Sequence, residues 1–169
     1  MTCFWDGILS LLHQKELKSV LNVNDKDNVG FINGLKKHNI KTVHVTWNVE
    51  KLSEKQHAEN HEHIKNIDVL RINDGYLCSS YDPVLFLIAE LFFASIKHNY
   101  KNHVMRYARK NAKIELEFAS DTGHFWSVKR TDVKDVKDVK EVMSGGVRSG
   151  DMYYMKKYIK YKKKYALMH

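Results

Sequence analysis

Two cysteines, Cys3 and Cys78, are all that a chain of 169 residues offers. That excludes a disulfide-stapled framework and favours a reducing compartment. Long apolar runs are missing too: none approaches the roughly 20 residues that span a bilayer. The N-terminus lacks a basic start followed by an apolar stretch and a small-residue cleavage site, so no secretory signal is expected. These absences predict a cytoplasmic protein. What is present suits an ordinary domain, since 43% of the residues are apolar, enough to bury a real core.

The formal net charge of +8 is unevenly placed. Six lysines against the single acid Asp151 put five of those eight charges in the last 19 residues. Ahead of them, DVKDVKDVKEV is a short charged repeat and SGGVRSG has the composition of a flexible spacer. The chain therefore divides into a globular domain over 1–130, a charged repeat and Gly/Ser spacer over 131–150, and a basic Tyr/Lys-rich tail over 151–169.

Within the domain, apolar spacing predicts helices over about Phe4 to His13 and Val29 to His38, then a short strand at KTVHVTW. LSEKQHAENHEHIKNI reads as a polar helix capped by Ser53. DPVLFLIAELFFASI reads as the central buried helix, with Asp82 as its N-cap and Pro83, the one proline, at its first position. NHVMRYA, KIELEFAS and HFWSVKR are spaced like consecutive strands of a meander, with turns at RKN and DTG. Helices followed by strands predict an α+β fold, a small mostly antiparallel sheet flanked by helices.

Cys3 opens the first predicted helix. There the positive end of the helix dipole and unsatisfied backbone N–H groups favour a thiolate, making the cysteine a candidate nucleophile. Its base is expected from a distant segment. GHFWSVK supplies one in His124, at the start of a strand, where alternation puts His124 and Trp126 on one face and Phe125 on the other.

CFWDGI resembles the nucleophile motif of the ovarian tumour (OTU) family of cysteine proteases: cysteine, two bulky residues (Phe4, Trp5), a small one (Gly7) and an aliphatic one (Ile8). HFWSV resembles the family's histidine motif through Phe125 and Val128. The order of cysteine, helical middle, strands and histidine is similar too, over about Met1 to Lys129. The likeness is to compact viral members from large DNA viruses of the iridovirus kind. It implies an OTU-like fold of the papain-like cysteine protease superfamily, and a deubiquitinase that cleaves after the C-terminal glycine of ubiquitin, with ubiquitin-like modifiers as possible substrates. Cys3 and His124 would be catalytic, Trp126 would roof the channel for the substrate tail, and no cofactor or metal would be used. Countering host innate signalling would be its purpose, as a monomer in the host cytoplasm.

Two positions differ from that family's pattern. Met1 and Thr2 precede the cysteine where members carry Asp-Gly-Asn, and Trp126 stands two residues after the histidine where others carry asparagine or aspartate. The third triad member is therefore unassigned, with Asp121 and Asp6 nearest in sequence.

Other features have plainer expectations. His57 and His61 lie one helical turn apart, but Ala58 stands where a zinc protease needs glutamate, so a solvated face is expected. Cys78 reads as a free structural thiol. Tyr154, Tyr158, Tyr161 and Tyr165 recur at helical spacing among lysines, a pattern that also suits nucleic acid or an acidic membrane surface. The alternative to an enzyme is a catalytically silent ubiquitin-binding module or a basic nucleic-acid-binding protein.

Overall fold

The computed structural model describes residues 3–72 and 78–133, with the backbone alone for 78–80. Met1–Lys134 is one compact unit. From residue 134 onward, the charged repeat, the spacer and the basic tail lie outside the described residues.

The unit opens with helix α1, Cys3–Leu11, which buries Phe4, Trp5, Ile8 and Leu9 and carries Asp6 in its first turn, where a negative charge complements the helix dipole. Helix α2, Gln14–Leu21, was not anticipated from the sequence. Glu16 Oε2 accepts the His13 N–H at 2.7 Å ahead of its first turn, and Asn22 ends it in the left-handed conformation (φ 56°). Helix α3, Asn28–Lys37, is capped by Asp27, whose Oδ1 accepts the Gly30 N–H, and it buries Phe31, Ile32 and Leu35. Strands β1, Val45–Trp47, and β2, Glu50–Lys51, form a hairpin whose two loop residues, Asn48 and Val49, both have positive φ. Helix α4, Glu54–Lys65, starts at Ser53 as expected, with a capping box to Gln56. A single 3-10 turn follows at Val69–Arg71.

Helix α5, Cys78–Leu91, differs from the sequence expectation at both ends. Pro83 lies inside it rather than at its first position. Asp82 is buried, with Oδ1 accepting the Tyr107 hydroxyl at 2.6 Å, so it is a tertiary anchor and not a cap. At the other end the helix stops at Leu91, Phe93 adopts a positive φ of 52°, and Ala94–Tyr100 form strand β3. Strands β4, His103–Arg109, β5, Ile114–Ser120, and β6, Phe125–Asp132, complete one mixed sheet in the order β2-β1-β4-β3-β5-β6.

The architecture is thus α+β. Four of the five strand pairings are antiparallel, but the meander expected of the last three strands is absent. β4 returns along β1, and β5 pairs in parallel with β3 (Ile96 opposite Leu116, His98 opposite Phe118). Alternation explains the single buried face. Ala94, Ile96 and His98 of β3, and Ile114, Leu116 and Phe118 of β5, point to the core beneath the helices. Lys97, Asn99 and Glu117 point outward, where Glu117 Oε1 accepts from both Lys97 Nζ at 2.7 Å and Asn99 Nδ2 at 2.8 Å. Among the described residues no helix is long and apolar enough to cross a membrane.

The edge strand β6 and α1 are pinned together at two points. A Cβ on Gly7 would stand 3.0 Å from Phe125 Cδ1, so only glycine permits this approach without displacing the ring. One helical turn further on, Arg130 Nη1 donates to the Leu11 carbonyl at 2.9 Å, while its guanidinium forks onto both oxygens of Glu16 (2.7 and 2.9 Å). These contacts fix how far α1 lies along the strand.

Candidate active site

Cys3 is the first residue of α1, half-buried against the core. His124 is the residue before β6, one position earlier than the strand start expected for it. The residues that follow each of them touch: the Phe4 and Phe125 rings have centroids 4.8 Å apart. With α1 and β6 pinned as described, the cysteine and the histidine stand at the same end of this pair. Among the described residues no hydrogen bond joins thiol to imidazole.

An aromatic wall supports the start of α1. Tyr81 of α5 stacks on Phe4 at 4.1 Å and meets Trp5 edge-on at 5.5 Å, and Trp5 meets Phe4 edge-on at 4.9 Å. Phe125 continues this wall to Phe118 at 5.0 Å. Trp126 is placed otherwise. It is 46% exposed, on the side of β6 opposite to Phe125 and α1.

The turn between β5 and β6 is organised by Asp121. Its Oδ1 accepts the backbone N–H groups of Gly123 (2.9 Å) and His124 (2.8 Å), and its own N–H donates to the His124 carbonyl at 3.0 Å. The same Oδ1 lies 3.5 Å from His124 Nδ1, with both side chains about half exposed. Those two backbone N–H groups, then the imidazole, hold the Asp121 carboxyl below the usual carboxylate range. Asp6, the other acid near the candidates in sequence, accepts from Asn28 Nδ2 at 2.9 Å. The D-T-G spacing marked this turn in the sequence, but not the direction of its carboxylate.

His98 has no signal in the sequence beyond its place in an apolar run. It is fully buried on β3, with Nε2 2.7 Å from Ser120 Oγ and its ring 5.3 Å from Phe125. Burial pushes its pKa from the ordinary 6.5 down to about 4. The unfolded chain therefore takes up this proton first as pH falls, and the stability from keeping His98 neutral, complete above pH 6.5, drains away towards pH 4. At pH 5.5 the loss is about 1.5 kcal/mol, before carboxylates of ordinary pKa begin to titrate. Urea midpoints at neutral pH and at pH 5.5 will show this drop in the wild type, and it will vanish in a folded His98→Gln variant.

His57 and His61 share α4 as the sequence predicts, and the His57 ring Nδ1 lies 3.4 Å from Thr42 Oγ1. Among the described residues no three His, Cys, Asp or Glu side chains converge so as to hold a metal ion. The side chain of Cys78 and the tyrosines of the tail lie outside the described residues. No protein-family model, no curated protein and no solved structure matches this chain.

Proposed function

We propose that the chain is a deubiquitinase of the OTU type, with an OTU-like fold, hydrolysing the isopeptide bond after ubiquitin's C-terminal glycine. The observation that carries this reading is the ring contact between Phe4 and Phe125, which brings the helix start bearing Cys3 to the strand start bearing His124. His124 takes the thiol proton and the Cys3 sulfur attacks the carbonyl carbon. The oxyanion rests on backbone N–H groups at the start of α1. His124 then protonates the departing lysine amine, leaving a thioester on Cys3, and water, deprotonated by His124, hydrolyses it. Ubiquitin-like modifiers with the same tail are further substrates. Trp126, exposed on the face that strand alternation gives it with His124, roofs the channel that admits the substrate tail in this reading.

A ubiquitin carrying a thiol-reactive C-terminus tests the proposal. We expect covalent labelling of the full chain, none in Cys3→Ala, and at least about a hundredfold slower labelling in His124→Ala, the usual size of a lost general base. Absence of labelling in folded wild-type protein would overturn it and favour the alternative, a catalytically silent ubiquitin-binding module or a basic nucleic-acid-binding protein.

A further inference from the structure

We infer that Asp121 is the positioning residue of His124, holding the imidazole with Nδ1 towards its carboxylate and Nε2 free to serve as the base. The inference rests on the deubiquitinase reading for its role in turnover, but its geometry is independent of the substrate. The position two residues after the histidine, one at which the OTU pattern puts an orienting polar residue, is Trp126 here and offers no acceptor. The turn offers one instead. Asp121 Oδ1 is fixed by two backbone N–H groups, one of them from His124 itself, so the carboxylate and the ring it faces share a rigid four-residue frame. Gly123, inside that frame, has open space where a Cβ would be. Among the described residues, Asp121 is the acid within ion-pair distance of the His124 ring, at 3.5 Å.

The chemical consequence lies in the tautomer. A carboxylate beside Nδ1 accepts a hydrogen bond from that nitrogen, so the neutral ring carries Nδ1–H and keeps its lone pair on Nε2. The two backbone donors hold the carboxyl below the usual carboxylate range, so at neutral pH it is ionised and an acceptor. A ring without this partner rotates and exchanges tautomers freely, and spends less of its time with a lone pair directed at the thiol.

The test separates the turn from the charge. In Asp121→Asn the side-chain oxygen still accepts both backbone N–H groups, and Asp121→Ser can do so through its hydroxyl, but neither presents a carboxylate to the ring. Nitrogen-15 imidazole spectra of the full chain in mildly alkaline buffer, with the His124 signal identified by its loss in His124→Gln, report the tautomer directly. We expect the Nδ1–H form in the wild type and a shift towards Nε2–H in both variants. The maximal labelling rate with the ubiquitin probe should fall about fivefold, a size set by the exposure of the pair, with the half-saturating probe concentration unchanged. An Nε2–H signal in the wild type, or a tautomer unchanged in folded Asp121→Asn, overturns the inference. If folded wild type takes no probe, the deubiquitinase reading fails, and the tautomer still decides whether Asp121 positions the ring.

Discussion

Glu90→Ala is expected to remove about 3–5 kcal/mol of folding stability, a large part of the 5–15 kcal/mol that holds a domain of this size. The carboxylate is 5% exposed near the end of α5 and anchors two elements at once. Its Oε1 lies 2.7 Å from His44 Nδ1, and its Oε2 accepts the His44 backbone N–H at 2.9 Å, which ties the segment entering β1 to the helix. On the other side Arg109, 8% exposed, approaches the same carboxylate at 3.6 Å, donates Nε–H to the Glu90 carbonyl, and stacks on Phe93 at 3.6 Å. Alanine would leave this guanidinium buried without its counter-charge, and that stranded charge, more than the lost bonds, makes the cost large. Glu90→Gln keeps an acceptor for the His44 N–H but strands the same guanidinium, so it should cost only somewhat less than alanine. Urea denaturation of the two variants beside wild type decides the matter. Equal costs would mean that the retained acceptor is immaterial and that the lost charge alone counts.

Phe125→Ala should cost a similar 3–5 kcal/mol, the ordinary loss for emptying a buried aromatic site, and should also disturb the candidate chemistry. Its ring is 3% exposed and meets Phe4, Phe118 and His98, and it is the surface on which Gly7 rests. Without it α1 loses its seat on β6, and Cys3 is no longer held at the strand start. Labelling of Cys3 by the ubiquitin probe, corrected for the folded fraction, should therefore fall at least tenfold, since small misplacements of reacting groups are expensive. Ile64→Ala, an emptied core site on α4, serves as control and should lower stability while leaving labelling per folded molecule unchanged. Equal labelling in both variants would detach the α1–β6 packing from the reaction.

Local chemistry was the legible part of the sequence. Ser53 marked the start of α4 as its cap, and the apolar spacing of FWDGIL gave α1. What escaped was set by distant partners. FFASI continues the apolar run of α5, and only the positive φ at Phe93 and the pairing of Ile96 with both Tyr107 and Leu116 turn it into β3. Asp82 looks like a cap because of the proline beside it, yet Tyr107, 25 residues later, claims its carboxylate. Helix α2 begins at His13, which is not a customary capping residue, so its start carried no signal. At the candidate site, residue types identified Cys3 and His124, whereas the acid facing the imidazole depends on how one turn folds.

The pinning of α1 against β6 also bears on how the molecule is made. These are the first and last elements of the described body, and the Arg130 bond to Leu11 spans 119 positions of chain. Contacts so far apart in sequence close late and slowly in folding. During synthesis the thiol leaves the ribosome first, and at about 5–20 residues per second its histidine follows on the order of ten seconds later. Until then α1 has no strand to lie on, so a nascent chain carries Cys3 well before His124 can be placed beside it.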